Sequence, residues 1–289
     1  MSPKNRDLSP RTHFRGYAIP GPRVPGGGGS GLAVEAGETL DALCGQYRIF
    51  QLKKGHRFST DDVLTAWYGS TWAPRAETVL DLGSGLGTVA MIAAWRLPAT
   101  RVVTVEAQTT SVALAKKSIR WNGLEERFDV RTGDFRDQGI IHDEERFDLV
   151  LGSPPYFPLG TGIEGDHPQK IACRFETRGT VVDYCHTAAA HLAVGGLFAC
   201  VFPVNPPAQA ERVMEGARAA GLTIVRQRRI VLREGDEALL GLFAMMRSID
   251  LPPEMRDQTW EEPSLRIRTA EGSVHPEYKA VKMSFGFPP

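Results

Sequence analysis

Residues 79 to 88 read V-L-D-L-G-S-G-L-G-T. An apolar run carries an acid, Asp81, near its end, breaks into Gly83, Gly85 and Gly87, and resumes as V-A-M-I-A-A-W from Val89. That order predicts a strand, a tight turn and the start of a helix. Glycine suits such a turn because it tolerates positive φ and lets a ligand lie directly on the backbone. Asp81 falls at the carboxyl edge of the strand, where open α/β sheets bind their ligands. A dinucleotide fingerprint reads G-x-G-x-x-G, whereas here the third glycine comes one residue early and Thr88 follows it. The glycines alone leave the ligand open.

Downstream, strand-like and helical patterns alternate. Arg101 to Glu106 is a β-branched run ending in an acid, and Val112 to Trp121 has helical spacing. Phe128 to Thr132, Phe147 to Leu151 and Gly196 to Phe202 read as further strands. The stretch V-V-D-Y-C-H-T-A-A-A-H-L and residues 209 to 220 read as helices. This alternation predicts an α/β fold with a mainly parallel sheet covered on both faces. Leu222 to Leu232 and Ala238 to Arg247 are separated only by R-E-G-D-E, too short for a crossover helix. They must pair as an antiparallel hairpin, which makes the seventh strand antiparallel.

Upstream, residues 1 to 31 hold seven glycines and five prolines, with Lys4, Arg6, Arg11, Arg15 and Arg23 against the single acid Asp7. Such a segment buries too little apolar surface to offset its ordering entropy, so residues 1–37 are expected to be a disordered basic tail. Residues 38–249 form the expected domain, and 250–289 a strand-and-loop appendage packed on it. Tyr47 to Leu52 reads as a strand, and Ser59 or Thr60 as the cap of a helix begun by Asp61 and Asp62. Lys53, Lys54, His56 and Arg57 form a basic cluster just before it.

Hydrophobic residues make up 42% of the chain, ample for a core, while Lys+Arg and Asp+Glu are both 34. A strongly basic field that grips any nucleic acid is therefore excluded; such a substrate needs a local patch and a shaped pocket. Cys44, Cys173, Cys185 and Cys200 show no metal-ligand spacing, so no metal is implied and ordinary thiols in a reducing, cytoplasmic setting are expected. No 18-residue apolar run implies a membrane partner.

Three strand ends carry candidate chemistry. Glu106, 19 residues after Gly87, is placed to accept both hydroxyls of a cofactor ribose, with Ala107 beside it. Asp134 and Phe135 offer a carboxylate and an aromatic face to a nucleobase. The sharpest signal is G-S-P-P-Y-F at 152 to 157. Two prolines end a ladder and freeze the backbone into a shelf, Tyr156 offers a face for a planar group, and Ser153 and the Pro154 carbonyl are acceptors for a target –NH2. Accepting both N–H bonds helps an exocyclic amine pyramidalise toward an electrophile, so positioning rather than a strong base supplies the rate.

Together these pieces resemble the Rossmann-like N6-adenine methyltransferases of the small-domain type that act on tRNA. The resemblance runs through G-H-R-F-S-T-D-D-V-L, V-L-D-L-G-S-G-L-G, V-E-A, W-N-G-L, G-D-F and F-D-L-V-L-G-S-P-P-Y-F. It implies a seven-stranded methyltransferase variant of the Rossmann fold with an antiparallel strand 7. It also implies S-adenosylmethionine (SAM) as cofactor, an RNA substrate, tRNA above all, and a monomer or weak dimer. On this resemblance Phe58, Thr60 and Asp61 fold over the cofactor's methionine end; Asp81, Gly83, Ser84, Gly85, Gly87, Glu106, Ala107, Asp134 and Phe135 hold the rest. Ser153, Pro154, Pro155 and Tyr156 form the catalytic shelf. The family's N-P-P-Y reads S-P-P-Y here, which preserves amine methylation and leaves the base open. A protein glutamine acceptor and a SAM-fold binding module without turnover are the competing readings. In the tail of the shelf loop, His167, Lys170 and Arg174 are candidate phosphate contacts.

Overall fold

The period-two alternation of the central strands decides which side chains face which layer, and through them the architecture. A computed structural model of the chain describes residues 10–158, 160 and 167–288. In chain order it contains β1 (His13–Phe14), β2 (Tyr17–Ala18), α1 (Gly26–Ser30), β3 (Glu38–Cys44), β4 (Tyr47–Leu52), α2 (Thr60–Trp72), β5 (Thr78–Leu82) and α3 (Thr88–Arg96). There follow β6 (Arg101–Glu106), α4 (Thr109–Asn122), β7 (Phe128–Thr132), β8 (Phe147–Gly152), α5 (Pro168–Arg174) and α6 (Val181–His191). The chain then forms β9 (Leu192–Pro203), α7 (Pro207–Ala219), β10 (Leu222–Arg233), β11 (Leu240–Arg247), β12 (Trp260–Arg268) and α8 (Pro276–Met283).

The main sheet runs β12-β10-β11-β9-β8-β5-β6-β7. Only β11 is antiparallel to its neighbours, β9 and β10. Val79, Leu149, Leu151, Ala199 and Val201 pack with α2 and α3 on one face; Leu80, Val150, Phe198, Cys200 and Phe202 pack with α6 and α7 on the other. Each Val, Leu or Phe among these taken fully out of water contributes about 1.5–3 kcal/mol, so the two cores lock the strands' register.

The sheet has eight strands where seven were expected. Trp260–Arg268 adds itself parallel to β10, Leu265 opposite Ile230 and Arg268 opposite Arg233. Its Pro263 is tolerated because β12 is an edge strand. The hairpin β3–β4 stands outside the main sheet and is stitched to α4. The Arg48 N–H donates to Asn122 Oδ1 (2.9 Å), Asn122 Nδ2 returns a bond to the Arg48 carbonyl (2.8 Å), and the Phe50 N–H donates to Ser118 Oγ (2.9 Å). The W-N-G-L stretch is thus a structural joint.

The amino-terminal segment, expected to be disordered through residue 37, carries β1, β2 and α1 within its described part. Its anchor is Trp95, against which Gly21, Gly45 and Gly286 all lie; a Cβ on Gly21 would sit 2.4 Å from the indole nitrogen. At Gly21 only a bare backbone fits against the ring, while the glycine-rich α1 packs on α4. Residues 1–9 lie outside the described part.

Candidate active site

Because β5, β6, β7 and β8 are mutually parallel, their carboxyl ends share one rim. Asp81, Glu106, Asp134 and Ser153 line a single cavity there of about 360 Å³, a size suited to a small-molecule ligand. The turn after β5 floors it. Gly83, Gly85 and Gly87 take φ of +60°, +55° and +72°, which side chains resist. At Gly85 a Cβ would meet nothing within 4 Å, whereas at Gly83 it would lie 2.1 Å from the Tyr184 hydroxyl. Gly85 leaves space and Gly83 leaves none. Ser84 Oγ is buried on this floor with no protein partner among the described residues.

One wall is acidic. Asp81 is 1% exposed and accepts one hydrogen bond, from the Ala90 N–H (3.1 Å). Burial holds its pKa well above the carboxylate range, reinforced by the charges of Asp62 and Glu106. Glu106, 7% exposed, accepts from the Gly85 N–H with Oε2 (2.9 Å) and from the Gln108 N–H with Oε1 (2.6 Å). Burial raises its pKa too, against the pull of those amides and of Arg178. Asp62 closes a capping box at the start of α2 by accepting from the Ser59 N–H (2.7 Å), yet burial pushes its pKa up to about 7. Beside it Asp61 is raised by burial as well. Four carboxylates around one recess cost free energy that a cationic ligand would relieve.

The Ser153–Tyr156 shelf, with both prolines buried, also lines the cavity and touches the acidic side through Tyr156. Tyr156 is held from three sides. Its hydroxyl donates to Asp61 Oδ2 (2.7 Å), its ring stands edge-on to Phe202 at 5.8 Å, and its carbonyl accepts from Gln209 Nε2 (3.2 Å). The Tyr156–Asp61 bond ties the start of α2 to the shelf across 95 residues of sequence.

The cavity brings together Asp61, Asp81, Gly83, Ser84, Gly85, Glu106, Ala107, Asp134, Phe135, Ser153, Pro154, Pro155 and Tyr156. Three of the residues read from the sequence are not on its wall. Phe58 packs into the core on the α2 face, Thr60 lies against Tyr278 of α8, and Gly87 caps α3. Asp134 is committed locally: Arg136 donates to both of its oxygens, at 2.9 and 2.7 Å, and holds its pKa down. Phe135 is buried edge-to-face against Tyr184, centroids 4.7 Å apart.

Tyr184, Cys173, Gln108, Arg174 and Arg178 also line the cavity. Sequence reasoning passed over Tyr184, Cys173, Gln108 and Arg178 as site residues because they come from helices and loops whose aim depends on packing. Gln169, 3% exposed, sets that aim for α5: its Oε1 accepts from the His56 N–H (2.8 Å) and its Nε2 donates to Ser111 Oγ (3.0 Å). A lone glutamine after His-Pro carries no signal in sequence. Of the proposed phosphate contacts, Arg174 reaches the cavity, while His167 caps α5 by accepting from the Gln169 N–H (3.2 Å). Residues 159 and 161–166 of that loop lie outside the described part.

A sequence profile of the methyltransferase small domain matches residues 64–217, more than half of the chain. The chain belongs to the methyltransferase small-domain family. A similar relative is the tRNA1(Val) (adenine(37)-N6)-methyltransferase of Escherichia coli, 31% identical over 150 residues covering 51% of this chain and 58% of the relative. The chain thus matches rather more than half the length of such curated relatives. A predicted O-methyltransferase from Agrobacterium tumefaciens shares the fold, with a TM-score of 0.59 at 18% identity over 79% of this chain and 98% of that one. Pyrococcus horikoshii TYW2, solved with MeSAdo, also shares it, at 0.50 and 15% identity over 73% and 71% of the two chains. Methyltransferase small-domain proteins imply SAM as methyl donor. The recess fits such a molecule on three counts: the unpartnered Ser84 hydroxyl, the open space over Gly85, and an acid wall facing a ligand that carries a sulfonium and an ammonium.

Proposed function

We propose that this methyltransferase small-domain protein transfers a methyl group from SAM to an exocyclic amine of a nucleobase, adenine N6 in a tRNA being the acceptor favoured by its relatives. The observation that carries this reading is that a flat shelf of acceptors and an acid-walled, glycine-floored recess open into one cavity. SAM supplies an electrophilic methyl on a cationic sulfur. Glu106, its lone pairs oriented by two backbone amides, would hold the ribose hydroxyls. Phe135 would face the adenine, Asp134 would accept from its amine, and Gly83 to Gly85 would let the chain approach closely. Asp61, Asp62 and Asp81 would hold the methionine end, where the positive charges lie.

On the acceptor side Tyr156 would stack on the target base, worth about 1–3 kcal/mol. The Pro154 carbonyl and Ser153 hydroxyl would take the amine hydrogens, leaving the nitrogen lone pair out of conjugation. Serine is shorter than the family's asparagine, so the amine must sit deeper or reach Ser153 through a water. One proton is released per methyl transferred; the amine sheds it readily once alkylated, so no strong base is needed.

The test is mass spectrometry of nucleosides from total tRNA, rRNA and DNA incubated with the protein and isotope-labelled SAM. Labelled N6-methyladenosine in the tRNA fraction is expected. Label in none of the three polymers would overturn the assignment.

A further inference from the structure

The cavity with an acidic wall is also lined by exposed arginines. Arg174 and Arg178 are exposed, both border the cavity, and neither has an ion-pair partner among the described residues. The neighbouring acids are already engaged: Asp134 with Arg136, Glu176 with Arg212, and Asp183 in the capping box of α6. Arg178 pulls on Glu106 and Asp134 only through space, without an ion pair, and the Arg174 guanidinium contacts only the Phe157 ring among the described residues. Beside them Phe157, directly after the shelf, is 37% exposed, an unusual position for a large apolar ring. Its ring stands 5.9 Å from Phe175 and 6.5 Å from Tyr156, and the Arg174 guanidinium lies 5.7 Å from its centroid.

Backbone bonds fix this group as a unit. The Phe157 N–H donates to the Arg174 carbonyl (3.1 Å) and the Glu176 N–H donates to the Phe157 carbonyl (2.9 Å). The end of α5 is thereby clipped to the shelf, so ring and guanidinium hold their relation to Tyr156 without a ligand. An exposed aromatic beside exposed arginines that carry no ion pair among the described residues has the two parts that single-stranded nucleic acid needs: a π-face for a base and point charges for phosphates.

Building on the proposed function, we infer that Phe157, Arg174 and Arg178 form a clamp for the nucleotides flanking the target in a single-stranded RNA segment. Phe157 stacks a neighbouring base while the two arginines hold the flanking phosphates. The unit reads backbone and stacking rather than base edges, so it sets affinity for an unpaired strand and leaves base identity to the shelf. A chain of formal charge zero can still hold RNA in this way, with the field confined to one patch.

The test measures binding of a fluorescein-labelled, adenosine-containing single-stranded RNA decamer by anisotropy between about 50 and 200 mM salt, alongside transfer to total tRNA. Arg174→Gln and Arg178→Gln are each expected to weaken binding about fivefold. Each should also reduce the slope of log affinity against log salt by about 0.7, one phosphate contact's worth. Both should raise KM for tRNA far more than they lower kcat, with melting temperature reporting that the fold is intact. Unchanged affinity and slope in both variants, with wild-type protein still methylating RNA, would refute the clamp alone. Wild-type protein that binds SAM yet methylates no nucleic acid would instead sink the functional reading, and the clamp with it.

Discussion

Adding one methyl group at Gly83 should damage folding, while the same change two residues later should damage ligand binding. Gly83→Ala forces φ of +60° on a residue with a side chain, which costs about 1–2 kcal/mol. The new Cβ would also lie 2.1 Å from Tyr184 Oη, with the ring's Cζ at 3.2 Å and Cε1 at 3.8 Å. Tyr184 has nowhere to retreat, since it is buried, its Cδ1 lies 2.7 Å from where a Cβ on Gly152 would stand, and Phe135 packs on it. Overpacking of this kind adds about 1–3 kcal/mol. The expected loss is therefore about 2–5 kcal/mol, measured by urea denaturation. Tyr184→Phe removes the offending oxygen and leaves 3.2 Å as the closest approach, a tight contact that a small shift relieves, so in that background Gly83→Ala should cost little beyond the backbone strain. Gly85→Ala carries a similar φ of +55° but meets no atom within 4 Å, so it should cost about 1–2 kcal/mol of stability while its methyl obstructs SAM. Isothermal titration with SAM reads that second effect. Equal costs for Gly83→Ala with and without the tyrosine hydroxyl would refute the steric reasoning. Undiminished SAM affinity in Gly85→Ala would refute the placement of the ligand on this turn.

Tyr156→Ala should lower kcat/KM for the nucleic acid by about 10- to 100-fold while changing SAM affinity little, as separate kinetic and calorimetric measurements would show. Glu106→Gln sets an amide donor against the Gly85 or Gln108 N–H, and should weaken SAM binding by about 10- to 100-fold in the same titration. The raised pKa of Asp62, about 7 against 3.8, means the folded protein holds a proton that the unfolded chain has lost between those values. Apo-protein stability should therefore fall as pH rises through that window, and Asp62→Asn should flatten the decline in denaturation curves taken at several pH values. In the same window SAM should bind more tightly as pH rises, because the ionised carboxylate attracts a cation.

The parts of the fold set by local pattern were legible in the sequence. The acid-and-glycine turn, the strand–helix alternation and the R-E-G-D-E hairpin each constrain their own neighbours. β12 is legible only as part of a strand-and-loop appendage over 250–289, because its pairing with β10 is long-range, irregular and interrupted by Pro263. The order within residues 10–37 was hidden because it rests on partners remote in sequence, Trp95 at Gly21 and α4 at α1. At the site, strand-end residues were readable because strand ends point at the rim by construction. Thr60, the first residue of α2 after the Ser59 cap, lies against Tyr278 of α8, a neighbour that its place in the sequence does not announce. Tyr184 and Gln169 were invisible for the same reason: a helix face is chosen by what packs on the sheet, and no spacing rule encodes that.

The wall of Asp61, Asp62, Asp81 and Glu106 has a consequence for turnover. A methyl donor enters with a positively charged sulfur and leaves with a neutral one, so a recess lined with carboxylates distinguishes fresh from spent molecules by a whole unit of charge. Product inhibition should then be weak and should strengthen once those acids are neutralised, and the underlying difference in affinity between the two forms can be titrated without any acceptor present.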